Sequence, residues 1–362
     1  MLDRFPPEIC DHIFEFACRD TGFTGCSLSL VSKYIQHTAA PTRYLSVALT
    51  SHAQILAFAR LVENSEALFH TKYLYLNGYL DEEAMDKIEN AVYVAATQAS
   101  VQYRELHKQL PAGDERLDEA KAVLDREGAK ARAEMVEFGR EVAIAVEKIL
   151  RRVASSVEVL YISLNEKAAK AMENTLSLPH LRDLTTRGGF PLHPNNKNVP
   201  VVEPTNSLLH LHAVETFDQW AWTGDYFRNG ISYLAPSLTH LRLSDLRTDD
   251  GTLEYLESSL GSSTVLKNGI TLLPSTLELV VLKPTVEPPP YVGCSCSDDT
   301  PQYYDMIKFG RRLRDRDHRV VMLHADKVAS ADDAYLHEWM DKVNGMACRW
   351  DTGNEDIAPA ED

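Results

Sequence analysis

The chain of 362 residues is 44% hydrophobic and 25% charged, which is typical of a globular protein with a sizeable core. Its 53 acidic and 37 basic residues give a formal net charge of −16. An acidic chain is poorly suited to bind a phosphate backbone or an anionic membrane surface through bulk charge. We therefore expect neither a nucleic acid nor a membrane as its partner.

No apolar run reaches the roughly 20 residues that span a bilayer. Residues 1–6 lack the apolar segment of a signal peptide. The six cysteines are too few and too scattered for a disulfide framework. These observations predict a reduced protein of the cytoplasm or the nucleus.

Residues 1–63 are expected to form a helical module. Pro6 and Pro7 can open a helix, because a proline in the first turn loses no donor that the helix needs. A further short helix is predicted after Pro41, and a capping-box pattern from Ser51 predicts another that begins there. The apolar stripes of the first two helices are Ile9, Ile13, Phe16 and Ala17, and Leu28, Val31 and Ile35.

A strand-like alternation over residues 71–79 precedes a long helical region. On both sides of a break at residues 111–114, apolar residues recur at spacings of three and four. This pattern predicts an antiparallel helical hairpin over residues 81–155. We interpret the hairpin as a packing insertion, and a coiled-coil arm that binds a partner is the alternative.

Short strand-like runs with leucines spaced by three and two recur from residue 157 onward. Residues 208–213 superimpose on residues 238–243 at an offset of 30 residues, which is typical of repeats that each supply one strand and a return segment. We therefore predict an α/β fold, with a degenerate repeat solenoid over residues 64–350 and a flexible tail over 351–362. The strands are expected within residues 157–164, 178–186, 208–214, 238–246, 277–282 and 319–323, and two further helices within 303–314 and 332–343.

The N-terminal segment resembles an F-box. The family pattern of Leu-Pro-x-Glu-Ile, then Ile-Phe, then Val-Cys-Lys-x-Trp corresponds here to residues 5–9, 13–14 and 31–35. This chain has Phe5 in place of the leading leucine, Ser32 in place of the cysteine and Ile35 in place of the tryptophan, with Tyr34 beside it. The remainder resembles the leucine-rich tail of short fungal F-box proteins, on the basis of residues 178–185 and 235–243.

This resemblance implies a substrate-recognition subunit of an SCF-type cullin-RING ubiquitin ligase. The helical module would dock on the Skp-type adaptor, which connects it to the cullin scaffold, and the leucine-rich-repeat-like solenoid would hold a protein client. Catalysis would then belong to the partner ligase. The alternative is an F-box-like interaction scaffold that never joins a ligase, for which Ile35 is the warning sign.

Docking a helical module buries apolar side chains in a groove of its partner, and a few large residues supply most of the binding energy. Three of the candidates, Ile9, Ile13 and Val31, have an alternative place in the core of the module itself. The candidate adaptor-binding residues are Pro6, Pro7, Ile9, Ile13, Phe14, Val31 and Tyr34.

A candidate client-binding strip follows from strand alternation. If Leu241 and Leu243 point into the solenoid, their neighbours point outward, and the same register applies to the repeat before it. The strip is His210, His212, His240 and Arg242. Solvated variable positions are the alternative, and a metal site is disfavoured because no thiolate or carboxylate joins the histidines at ligand spacing. For the preceding strand we prefer Leu181 and Leu184 as the inward residues, because the other register turns Asp183 inward.

The sequence carries no signature of an enzyme, a metal site or a cofactor site. Cys294 and Cys296 lack the two-residue separation of redox and zinc motifs. The glycine-rich residues 187–191 lack the lysine and serine of a phosphate loop, and neither Gly-x-Ser-x-Gly nor His-Glu-x-x-His occurs. An enzyme whose site is hidden in the sequence stays as a rival, which a pocket of convergent titratable groups would reveal.

Overall fold

A computed structural model of the chain has a mixed α/β fold built on one parallel sheet of eight strands. It describes residues 6–65, 69–78, 82–111, 113–164, 166–172, 175–188, 202–214, 227, 230–246, 251–262, 269–288, 300–325, 332–346 and 350. The predicted tail at 351–362 and the pair Cys294 and Cys296 lie outside these residues.

The eight strands lie side by side in chain order, so each new strand pairs with the one before it. The offset of 30 residues that the sequence shows is the step between two neighbours, because Leu211 pairs with Leu241. All the strands that we predicted are present. Their bounds are β1 Ser46–Leu49, β2 Tyr73–Asn77, β3 Val159–Ser163, β4 Asp183–Arg187, β5 His210–Val214, β6 His240–Leu246, β7 Leu279–Pro284 and β8 Val320–Met322.

One face of the sheet, here called the core face, is a ladder of aligned apolar residues. Such alignment follows from the period of two along a strand, which sends the repeated leucines to the same side. Helices cover this face and exclude water from it. Its central row, in strand order from β2, is Leu74, Leu160, Leu184, Leu211, Leu241, Val280 and Val320, and these residues are essentially inaccessible to solvent.

The N-terminal helices are α1 (Pro7–Ala17), α2 (Phe23–Leu28) and α3 (Lys33–Thr38). The helix that we predicted after Pro41 is absent, because the chain turns there and enters β1. The capping-box prediction at Ser51 is confirmed: its hydroxyl accepts a hydrogen bond from Gln54 N, 3.4 Å away, at the start of α4 (His52–Asn64).

The sheet begins earlier in the chain than we expected. Strand β1 pairs with β2, and α4 packs into the same core as the strands. Residues 46–63, which we assigned to the helical module of residues 1–63, therefore belong to the sheet and its core. The separate core of the N-terminal helices is small and consists of Cys10, Phe14, Cys18, Ile35, Ala39 and Leu45.

The predicted helical hairpin is present as α5 (Glu82–Gln109) and α6 (Glu115–Val153). It lies between β2 and β3, so it is an insertion within the sheet. Parallel neighbouring strands require a crossover connection, and the C-terminal third of α6 supplies it by packing Val142, Ile149 and Val153 on the core face. Helix α6 is about 58 Å long at about 1.5 Å per residue, so its N-terminal part extends along α5 instead of along the sheet.

The later helices are α7 (Glu166–Ala171), α8 (Ile231–Leu234), α9 (Thr252–Ser259), α10 (Thr300–Arg316) and α11 (Asp332–Val343). Both of the predicted C-terminal helices, α10 and α11, are confirmed. Helices α9 and α10 pack near the core face, whereas α11 lies on the opposite face of the sheet. Among the described residues, no helix combines the length and the apolar character that crossing a membrane requires.

Candidate functional site

Helix α1 carries an apolar stripe that is open to solvent. Ile9, Ile13 and Phe16 follow one another at spacings of four and three, which puts them on one face of the helix. Their exposed fractions are 46%, 44% and 76%. The opposite face supplies Cys10 and Phe14 to the small core. The stripe that the sequence shows is therefore an outward surface, and apolar surface grouped in this way is typical of an interaction site.

Further apolar residues stand exposed in the two segments that follow α1. Leu30 and Val31, in the turn between α2 and α3, are 86% and 66% exposed. Phe23, at the start of α2, is 75% exposed. Pro6 and Pro7 are exposed at the beginning of α1. These residues and the stripe on α1 are here called the N-terminal apolar surface.

Two of the predicted adaptor-binding residues do not stand on this surface as we expected. Phe14 is 2% exposed and packs in the small core, so its assignment to an interface was wrong. Tyr34 is half-buried against the same core. Ile35, which replaces the tryptophan of the family pattern, is fully buried in that core.

Polar contacts attach the N-terminal helices firmly to the edge of the sheet. The Asp20 carboxylate accepts hydrogen bonds from the backbone amides of Gly22 and Thr24, each 2.9 Å away, which fixes the turn before α2. Ala48 N on the edge strand β1 donates to the Thr21 carbonyl at 3.1 Å. This bond satisfies part of an edge that would otherwise be open to pairing with another chain. The helices that carry the N-terminal apolar surface are thus hydrogen-bonded to the edge of the sheet.

The second face of the sheet, here called the outer face, carries the side chains that alternate with the core-face ladder. The predicted register is confirmed: His210 pairs with His240, and His212 pairs with Arg242. The preferred register of β4 is confirmed as well, because Leu184 lies in the ladder and Asp183 lies beside His210 on the outer face. The four residues of the predicted strip are therefore neighbours.

Helix α11 covers the outer face, and this corrects our prediction of an exposed strip. His212 is 1% exposed and Arg242 is 2% exposed, so neither can contact a client while α11 is in place. The alternation of the strands assigned the face correctly. It carried no information about a helix that begins 90 residues after Arg242 in the chain and packs on that face.

Aromatic packing holds α11 against the first strands. The rings of Tyr75 and Tyr161 stack with centroids 4.2 Å apart and an angle of 8° between their planes. Trp339 of α11 meets Tyr75 edge to face at 5.6 Å, and Tyr335 of α11 lies 6.1 Å from Tyr161. Together with Val214 and Val343 they form a closed cluster on the outer face.

Charged and polar pairs connect α11 to the later strands. Lys342 Nζ donates to Asp183 Oδ1 at 2.7 Å and to Thr185 Oγ1 at 2.9 Å. The Tyr335 hydroxyl donates to Asp245 Oδ2 at 2.7 Å. Asp245 has a φ of 58°, in the left-handed region that aspartate tolerates better than most residues.

Glu338 of α11 faces the buried imidazole of His212. Its Oε1 lies 3.4 Å from His212 Nδ1, without the alignment of a hydrogen bond. On the other side of the ring, Nε2 lies 2.9 Å from the Ser244 hydroxyl oxygen, which also accepts a hydrogen bond from Arg242 Nε at 3.1 Å. Because that oxygen accepts from Arg242, its proton is available to Nε2 of a neutral His212.

Burial is the largest influence on the pKa of His212. Together with the positive charges of Arg242 and Lys342 it lowers this pKa from 6.5 to about 4, and the attraction of Glu338 compensates only in part. Burial alone would raise the pKa of Glu338, but the nearby His212, Lys342 and Arg242 outweigh it and keep the pKa below its usual value. At neutral pH the pair is therefore a neutral imidazole and a carboxylate.

His210 and His240 are half-buried at the margin of α11. Their rings meet edge to face at 4.9 Å, and each lies 5.6 Å from the ring of Trp350. His210 Nδ1 is 3.4 Å from Asp183 Oδ2. Within the described ranges, no three histidine, cysteine, aspartate or glutamate side chains are grouped so that they could hold a metal ion.

Comparison with known proteins adds no relative of this chain: no family model, no curated protein and no solved structure matches it. The N-terminal apolar surface and the outer face are consequently the two features of the chain that bear on its function.

Proposed function

We propose that this protein is the substrate-recognition subunit of an SCF-type cullin-RING ubiquitin ligase. In this proposal the N-terminal helices are an F-box that docks on a Skp-type adaptor, and the sheet-bearing region is a degenerate leucine-rich-repeat solenoid that holds a protein client. The chain itself performs no covalent chemistry, which belongs to the partner ligase.

The observation that carries the proposal is the exposed stripe of Ile9, Ile13 and Phe16 on α1. The small core of the N-terminal helices is complete without these residues, because Cys10 and Phe14 fill it from the other side of the helix. In protein interfaces a few large residues supply most of the binding energy. Three large apolar residues that the fold leaves uncovered are therefore suited to be a docking surface.

The resemblance of residues 5–35 to the F-box pattern supports the identity of the partner. The departure at Ile35 no longer counts strongly against it, since isoleucine fills the corresponding core position. Pro6 and Pro7 are exposed beside the stripe and are conformationally restricted, so burying them in an interface loses little entropy.

The alternative function is an F-box-like interaction scaffold without a ligase. It keeps the N-terminal apolar surface as a protein-binding surface but gives it a different partner. The two functions differ in one observable property, which is binding to a Skp-type adaptor.

The test is a pull-down of a purified Skp-type adaptor with the full chain, followed by measurement of the dissociation constant. We expect Ile13→Asp to weaken binding by about 30-fold or more, because a hot-spot residue contributes about 2 kcal/mol. Val136→Asp is the matched control, because Val136 is 58% exposed on α6 and far along the chain from the N-terminal apolar surface. Pro6→Ala should have a smaller effect in the same direction.

Circular dichroism of each variant verifies that it is folded. A folded wild-type chain that recovers no adaptor would refute the ligase and leave the scaffold. Equal losses for Ile13→Asp and Val136→Asp would refute the assignment of the docking surface to α1.

A further inference from the structure

Helix α11 is attached to the outer face by side chains at the spacing that helical ligands use. Tyr335, Glu338, Trp339 and Lys342 occupy positions i, i+3, i+4 and i+7, and the four lie on the sheet side of the helix. Peptide helices that bind in grooves present their anchor residues with this spacing. The opposite side of α11, with Asp333, His337 and Asp341, is open to solvent.

The outer face offers a matching receptor for each of these anchors. Tyr75 and Tyr161 receive the aromatic side chains, His212 lies against the carboxylate, and Asp183 receives the lysine. The face thus combines an aromatic platform, the imidazole of His212 with the Arg242 guanidinium near it, and the carboxylates of Asp183 and Asp245. This is the complement of an amphipathic helix that carries an aromatic pair, an acid and a base.

The interface with α11 leaves buried polar atoms without partners. Among the described residues, Trp339 Nε1 is buried and makes no hydrogen bond, and His212 Nδ1 faces Glu338 Oε1 at 3.4 Å without the alignment of one. Buried unsatisfied polar groups are uncommon in native cores and are costly, so a contact that contains these two atoms is poorly optimised as permanent packing.

We propose that α11 is an intramolecular ligand of the outer face, which a helical segment of a client displaces. The client segment presents an aromatic pair at i and i+4, an acid between them and a base one turn later. This inference rests on the client-binding half of the proposed function and does not depend on adaptor docking. It reassigns His212 and Arg242 from an open strip to a covered site that α11 controls.

A ligand that competes with an intramolecular segment binds with an apparent affinity reduced by the fraction of molecules in which the site is open. Weakening α11 therefore tightens the binding of an added helix. The probe is a fluorescein-labelled synthetic peptide of residues 332–346, titrated against the full chain. A peptide of the same length with Glu338→Lys and Trp339→Ala serves as the control ligand.

We expect the Trp339→Ala chain to bind the native peptide more than about tenfold more tightly than the wild-type chain does, because its own α11 competes less well. The His337→Ala chain, altered on the exposed side of α11, should bind like the wild type. The control peptide should bind none of the chains. Hydrogen exchange of the wild-type chain should also show α11 amides exchanging at least about tenfold faster than those of β4 and β5, through local opening.

Equal or absent peptide binding by the wild-type and Trp339→Ala chains would overturn the proposal, as would exchange of α11 only together with the strands. If circular dichroism shows that Trp339→Ala does not fold, Tyr335→Phe replaces it, since this change keeps the ring and removes the hydroxyl that donates to Asp245. The adaptor is absent from these measurements. A failure here therefore leaves adaptor docking untouched, and a failure of adaptor docking leaves this result valid.

Discussion

The buried imidazole of His212 makes the free energy of unfolding depend on pH, and the direction of this dependence follows from its burial. The unfolded chain binds a proton at this group with the usual pKa of 6.5, whereas the folded chain binds it only at about 4. The unfolded state therefore binds more protons between these two values, and acidification through this window destabilises the fold. At pH values above the usual pKa of 6.5, the imidazole is neutral in both states, and the fold does not lose this stability.

The magnitude follows from the two pKa values. Between about pH 7.5 and about pH 5 the difference in proton binding removes about 2 kcal/mol of the free energy of unfolding. His212→Gln keeps an amide that can contact Ser244 but does not titrate, so this variant should lose about 2 kcal/mol less than the wild type over the same interval.

The assay is urea unfolding at both pH values, followed by circular dichroism and by tryptophan fluorescence, to which Trp339 contributes. His180→Gln, at an exposed histidine, is the control and should keep the pH dependence of the wild type. Equal losses of the free energy of unfolding by wild type and His212→Gln on acidification would refute the assignment of His212 as the group responsible. That result would mean that His212 is hydrated or charged in the folded state and that α11 does not seal the outer face.

Two substitution pairs test the packing of the N-terminal helices by urea unfolding. Phe14→Ala should lower the free energy of unfolding by about 3–5 kcal/mol because Phe14 is in the small core, whereas Phe16→Ala should change it by less than about 0.5 kcal/mol. Similar losses for the two variants would mean that α1 is rotated from its described orientation. Gly25→Ala should be destabilising by more than about 1 kcal/mol, since a Cβ there would lie 2.2 Å from the Arg43 carbonyl oxygen, while Gly128→Ala in α6 should be neutral or stabilising by up to about 1 kcal/mol. A neutral Gly25→Ala would contradict the close approach of α2 to the backbone before β1.

The strands and their register could be predicted from the sequence because the signal is local. Leucines at alternating positions are sufficient to assign the core face, and an offset of 30 residues is sufficient to align β5 with β6. Strand β1 was missed because it has only four residues and carries no leucine repeat. Strand β1 is stabilised by pairing with β2, and this contact joins residues that are far apart in the sequence.

The orientation of α1 shows where periodicity stops being informative. Ile9, Ile13 and Phe16 form an apolar stripe, and so do Cys10, Phe14 and Cys18 at spacings of four. The sequence offers both as an inward face, and only the packing against Ile35 and Leu45 decides for the second.

The cover over the outer face could not be predicted for a related reason. The bounds of α11 were predicted correctly from its own residues. Its partners on the outer face, such as Asp183 for Lys342, lie 90 residues or more away in the chain. Nothing local to either residue indicates the pairing, so the strip of His210, His212, His240 and Arg242 was expected to be open.

The most direct measurement of the central claim is hydrogen exchange of the full chain with and without a Skp-type adaptor. We expect the adaptor to slow amide exchange in residues 7–17, 23 and 30–34, which include the N-terminal apolar surface, and to leave α6 and α11 unchanged. Protection confined to any other region, or no protection by an adaptor at saturating concentration, would contradict the assignment of these helices as an adaptor-docking module.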